Sequence, residues 1–201
     1  MTNYAIPITA YRMKGGGAQT PELRRFLEKA TQSFVNGTPV QIEAGVGYLQ
    51  ECGAIVSAAT AVIAGFTTEN ASNLTTAGTA KTLNTGAVVP NQASAVVIPL
   101  GAPLNLGDCG VAMATDLTEF VGRIGYAVAL AATHLNSKAG LTEDATGAQG
   151  FWYVDTTKSS VAGGACVQIT ELIDVIGTYG GRVAFRVLSA AQQFGPQAVG
   201  S

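Results

Sequence analysis

The chain has 201 residues, with 11 Lys or Arg against 13 Asp or Glu, and only 12% of its positions are charged, about half the roughly 25% usual in soluble domains. That length allows one well-buried core or two small ones. The basic residues are too few, and too free of interleaved aromatics, for a nucleic-acid groove, and no apolar run is long and unbroken enough to span a bilayer.

AIVSAATAVIAGF is too short for a membrane span, and AVVPNQASAVVIPLGAPL is interrupted by prolines. The N-terminus has no apolar run behind a basic start, so no signal peptide is expected and the chain reads as soluble and made in a cytoplasm. Its 25 glycines and many small residues suit short strands and turns better than helices. A sparsely charged surface is expected to be covered by assembly.

Residues 1–20 read as an arm. Tyr4, Ile6, Ile8 and Tyr11 are apolar with no partner strand nearby, and RMKGGGAQTP follows. The triple glycine admits two readings, a backbone cradle for phosphate or a hinge. No Lys-Ser/Thr follows it and no strand clearly precedes it, so a hinge or tight turn is expected. DTTKSS at 155–160 likewise lacks the glycines of a phosphate loop. No cofactor site is expected.

The charge is uneven: residues 12–29 carry +3 and the remainder −5. A solvated basic stretch is one reading, and docking on an acidic protein surface is the other.

In TPELRRFLEKATQSF, Thr20 suits an N-cap and Pro21 a first turn. Leu23, Phe26, Leu27, Ala30 and Phe34 then fall at helical spacing. Local rules therefore predict a helix over 22–34. From Val35 the pattern becomes strand and turn: PVQI, then GYLQECGAIV, then AVIAGF. Residues 67–95 are polar and read as a long surface loop. AVVIPL, GVAMA and VGRIGYAVALA resume strands. Residues 133–150 read as a second polar loop, FWYVD, ACVQIT and GGRVAFRVL as further strands, and QQFGPQAVGS as a loose tail.

The three cysteines, at 52, 109 and 166, are each 57 residues apart. A repeated β-hairpin unit and coincidence are the two readings. An odd count does not make a complete set of intrachain disulfides, so reduced, buried thiols are expected. Metal binding is not expected: there is no CxxC, and His134 is the sole histidine.

Catalytic constellations fare poorly. His134 lies in a polar loop without a GxSxG motif and reads as solvated. The acid pairs Asp116/Glu119 and Glu143/Asp144 sit in polar, turn-like surroundings and read as solvated, with hydrolase chemistry as the alternative. In Phe151-Trp152-Tyr153, strand alternation sends Trp152 to one face and its neighbours to the other, which favours a core Trp over a stacking platform. The chain is expected not to be an enzyme.

Four stretches, FLEKATQSFVNGTPV, AVIAGFTTENA, WYVD and GRVAFRV, resemble the head-decoration or cement proteins of tailed bacteriophages. The resemblance covers residues 22–75 and 150–188. It implies a mainly β chain on the capsid exterior of a virion, bound to the major capsid protein and stabilising the lattice. It implies extended structure over 22–34 against the local helix reading, and a homo-oligomer, with a trimer favoured.

The resulting expectation is an N-terminal arm at 1–20, a single compact β-rich domain at 21–190 and a tail at 191–201. The domain is a small barrel, tulip or sandwich of short antiparallel strands. Its expected core is Val40, Ile42, Ile55, Val62, Ile63, Val97, Ile98, Val111, Ile124, Trp152, Val167, Ile169, Val183 and Phe185. The arm is expected to leave the body at Gly15–Gly17 and bind a neighbouring subunit. Tyr4, Ile6, Ile8 and Tyr11 would be its apolar anchors, and Arg12 and Lys14 would meet acidic groups. A disordered terminus is the competing reading, and a tail or glycan-binding module the competing function.

Overall fold

The computed structural model describes residues 7–14, 20–53, 62–71, 108–144, 151–160 and 162–194. Its strands are β1 (Thr9–Met13), β2 (Leu23–Leu27), β3 (Pro39–Ile42), β4 (Leu49–Glu51), β5 (Gly65–Thr67), β6 (Asp108–Met113), β7 (Thr118–Arg123), β8 (Lys138–Glu143), β9 (Trp152–Asp155), β10 (Val167–Leu172) and β11 (Arg182–Val187). They form a six-stranded sheet ordered β1-β7-β11-β10-β8-β9 and a five-stranded sheet ordered β2-β6-β5-β3-β4. Every ladder is antiparallel. The fold is mainly β, a sandwich-like domain, as the composition predicts.

Three phenylalanines join the layers. Phe66 of the smaller sheet sits 4.5 Å from Phe120 and 5.9 Å from Phe185 of the larger one, ring centroid to centroid. Such offset and edge contacts add to the gain from burial. Around them pack Ile124, Val154, Val167, Ile169 and Val183, all buried.

The smaller sheet is covered on both faces. Period-two alternation along β6 sends Ala112 into the shared core and Cys109, Val111 and Met113 into a second cluster with Phe34, Val40 and Leu49. That explains why β6 reads as an unbroken apolar run. Both sheets curl: single parallel bridges link the end of β2 to β4 (Glu28–Leu49) in the smaller and the end of β7 to β9 (Ile124–Val154) in the larger.

Residues 23–27 are a strand, so the extended reading replaces the helix. They pair residue by residue with β6, from Leu23–Ala112 to Leu27–Asp108. Leu23 and Leu27, two of the five apolar residues of the helix reading, are exposed. Tertiary pairing outweighs local propensity here.

The N-terminal arm is corrected more deeply. β1 is an edge strand of the chain's own larger sheet, laddered to β7 with a register shift between Ala10 and Arg12. Ile8 is 1% exposed within the shared core. The chain can pass there because Gly37, at φ +84°, has no side chain; a Cβ would stand 2.4 Å from the Ile8 nitrogen. The body therefore begins before residue 20. Gly15–Gly17, the expected hinge, lie outside the described residues.

The tail boundary also moves. Gln192 is buried and bridges Ile63. The Gln193 carboxamide accepts from the Ile42 N–H at 2.7 Å and donates to the Ile42 carbonyl at 2.6 Å. It stands in for a peptide group at the end of β3.

The polar stretch at 133–150 contains β8, which pairs with β9 and β10 and buries Ala139 and Leu141. Val62 is exposed rather than core. Ile42 is half-buried against the second cluster. Ile55, Val97 and Ile98 lie outside the described residues. No repeated hairpin follows from the cysteine spacing: β10 and β11 pair directly, but β6 and β7 belong to different sheets, and β3 separates β4 from β5. Equal spacing imposes no pairing.

Candidate functional site

A cleft of about 560 Å³ opens between β4 of the smaller sheet and β8–β9 of the larger. Its walls come chiefly from three strands and one turn. Glu51 ends β4. Trp152 is the register partner of Glu143 across the β8–β9 ladder, and its indole N–H donates to Glu51 Oε1 at 3.1 Å. The Lys158 stem lies across β8 over Gly140, where a Cβ would meet it at 2.6 Å.

The turn at residues 29–32 closes the rim. Thr31 adopts φ +60°, a left-handed conformation that a β-branched residue rarely holds. Lys29 is held in place by Glu43 at 3.0 Å and Gln50 at 2.8 Å.

Burial raises the proton affinity of Glu51. The indole hydrogen bond opposes that shift, and the neighbouring charge of Glu143 adds to it. Cys52 lines the same cleft, with a thiol pushed up by burial. Burial likewise lifts Cys109 and Cys166, each to about 12. All three cysteines are reduced and buried, in thiol states unsuited to nucleophilic chemistry.

A second feature lies at the turn joining β10 to β11. Val175, Ile176 and Tyr179 are 80%, 59% and 69% exposed, with Tyr126 beside them at 57%. The turn is nonetheless fixed. Backbone hydrogen bonds run from Gly177 N–H to the Leu130 carbonyl, from Leu130 N–H to Thr178 and from Gly180 N–H to Val128. Arg182 grips Asp174 at its base, 2.7 Å at the shortest.

The six arm residues do not form one anchor surface. Tyr4 and Ile6 lie outside the described residues. Ile8 is in the chain's own core, while Tyr11 is 45% exposed. Arg12 finds its acids within the chain, Glu119 at 2.5 Å and Glu171 at 2.7 Å. The Lys14 backbone N–H donates to the Leu117 carbonyl. Other bases of that stretch are also paired internally: Arg24 with Glu22, Arg25 with Glu69 and Asp108, and Lys29 with Glu43. Folding places these acids beside them.

The acid pairs part company. Asp116 accepts from Ser189 and Gln192, and Glu119 is buried against Arg12. Glu143 instead lines the cleft with Glu51. His134 Nδ1 accepts from the Ala131 N–H, closing a 3-10 turn at Ala132–His134. Among the described residues, no group of three or more His, Cys, Asp or Glu is placed to hold a metal ion, and no helix is long and apolar enough to cross a membrane.

Sequence reasoning passed over Glu51 and the β10–β11 turn. Glu51 carries no signal in LQECG. The turn does: IDVIGTYGG sets Val175, Ile176 and Tyr179 around Gly177 where polar turn residues are the norm. No protein-family model, curated protein or solved structure matches the chain.

Proposed function

We propose that the chain is a non-enzymatic structural protein that attaches to the outer surface of a phage capsid and stabilises its lattice. One observation carries this reading: the rigid apolar tip formed by Val175, Ile176, Tyr179 and Tyr126. Clustered exposed apolar side chains of this kind mark a docking surface. Each would contribute on the order of 1.5–3 kcal/mol if fully covered. The backbone hydrogen bonds that fix the turn reduce the ordering cost of docking.

The resemblance to head-decoration proteins supplies the partner, a major capsid protein, and favours a trimer. In this reading the tip replaces the N-terminal arm as the principal anchor. The test is cosedimentation of the protein with empty capsids. Wild type should pellet with them, and a Val175→Ser/Ile176→Ser/Tyr179→Ser variant should bind at least tenfold more weakly while melting at the same temperature. Equal binding by the variant would refute the role of the tip, and absence of wild-type binding would refute the capsid reading. The exposed tyrosines favour one second reading, a glycan- or receptor-binding tail module, which a saturable signal on a glycan array would support.

A further inference from the structure

Asn36 and Gly37 are the chain's only Asn-Gly pair. Asparagine is thermolabile, and most so before glycine, where no side chain shields the next backbone nitrogen from the carboxamide. What holds that nitrogen then decides the fate of the pair. The Thr38 N–H donates to the Val35 carbonyl at 3.2 Å, and Gly37 sits at φ +84°, which makes residues 35–38 a type II turn. In that turn the second residue holds ψ at about +120°, pointing the Gly37 nitrogen away from the Asn36 side chain.

The turn is clamped on two sides. Residues 67–70 take its amides: Asn36 N–H donates to Asn70 Oδ1 at 2.8 Å, Gly37 N–H to the Thr67 carbonyl at 2.9 Å and Thr38 N–H to Thr67 Oγ1 at 3.1 Å. The residues leading into β1 close the other side. The position a Gly37 Cβ would take lies 2.8 Å from both the Ile8 carbonyl oxygen and Pro7 Cβ. Swinging the Gly37 nitrogen toward Asn36 Cγ therefore drives Gly37 into the backbone of Ile8. β1 is the clamp able to leave. It is an edge strand joined to its sheet by β7 alone, and such elements open locally at less cost than a core.

We propose that Asn36–Gly37 is a self-modification site gated by β1: with Ile8 seated the pair is inert, and with β1 released Asn36 converts to aspartate and isoaspartate. The Gly37 nitrogen gives its proton to hydroxide and bonds to Asn36 Cγ. The carboxamide nitrogen takes a proton from water and leaves as ammonia. Water then opens the cyclic imide at either carbonyl, and nothing is oxidised or reduced. One opening restores the backbone with aspartate at 36. The other routes the backbone through the former side chain and lengthens it by one carbon. A lengthened turn no longer fits Gly37 against Ile8, so this product makes the release of β1 lasting. The inference does not rest on the capsid reading and is tested without capsids.

The full-length protein is held at mildly alkaline pH, either native or in urea. Residue 36 is followed by peptide mass spectrometry and by enzymatic methylation of isoaspartate. Conversion in urea should be at least tenfold faster than in the native protein, and equal rates would overturn the proposal. Native Ile8→Ala should convert at least fivefold faster than wild type. Leu141→Ala, which truncates an equally buried side chain on β8, should accelerate conversion less. Equal acceleration by the two would overturn the gating by β1. If Ile8→Ala fails to fold, Thr9→Cys/Val121→Cys decides, because these register partners can pin β1 to β7 through a disulfide. The oxidised protein should convert at least threefold more slowly than the same protein reduced, and equal rates would overturn the gate.

Discussion

Arg12 and Glu119 are register partners across the β1–β7 ladder, joined Nε to Oε2 at 2.5 Å, and Glu119 is 4% exposed while Arg12 is largely open to solvent. The pair is asymmetric. Glu119 is committed to burial by β7, and Arg12 reaches in to satisfy it, raising its own proton affinity chiefly through that hydrogen bond. Removing Arg12 would strand a buried acid. Arg12→Ala should therefore destabilise the fold by about 1–3 kcal/mol, read from urea denaturation at neutral pH. A loss below about 0.5 kcal/mol would show that Glu119 is served by another group.

β1 contributes core as well as charge. Ile8→Ala should cost roughly 2–4 kcal/mol, as for a fully buried aliphatic side chain. Tyr11→Ala, two-fifths exposed or more, should stay within about 0.5 kcal/mol. Gly37→Ala should resemble Ile8→Ala, because its Cβ would strike the backbone of Ile8 in a left-handed conformation. Melting temperatures of the three variants test this. An unchanged Ile8→Ala protein would return β1 to the status of an arm.

The strands legible in the sequence are those whose side chains alternate or run apolar: β3, β4, β6, β9, β10 and β11. What stayed hidden is non-local. TPELRRFLEKATQSF satisfies the helix rules at every position, and only β6, some 85 residues on, makes it a strand. Ile8 looked unpartnered because β7 lies more than 100 residues away. KAGLTE lacks the β-branched run of an obvious strand, and its partners settle its state. The cleft was invisible for the same reason. Glu51, Glu143 and Trp152 are ordinary residues on three strands, and closure of the two sheets brings them together.

Acid and neutral stability should respond in opposite senses at two carboxylates. Asp174 is held below its ordinary value, first by the Arg182 side-chain hydrogen bond. Its contribution is present above the unfolded value of 3.8 and is lost as pH falls through the lower folded value. Asp174→Asn should therefore destabilise at pH 7 and have a smaller effect near pH 2.5. Glu51 is raised by burial, so folding favours its protonated form. Its contribution is full below the unfolded value of 4.5 and is lost as pH rises through the folded value. Glu51→Gln should thus stabilise at pH 7 and approach neutrality in acid. Urea midpoints of the two variants at both pH values decide the signs. The same sign at both residues would contradict their surroundings.

Thr31 completes the cleft rim at a conformational cost. A β-branched residue at φ +60° carries strain on the order of 1–3 kcal/mol, partly offset by the hydrogen bond from its hydroxyl to the Ala30 carbonyl at 2.7 Å. Asparagine tolerates the left-handed region better. Thr31→Asn should therefore raise stability by about 0.5–1 kcal/mol, seen as a higher urea midpoint with an unchanged slope. The lost hydroxyl bond works against this gain, but it is solvent-exposed and so contributes little. A lower midpoint in Thr31→Asn would mean that the hydroxyl bond, and not the backbone conformation, sets the balance at this turn.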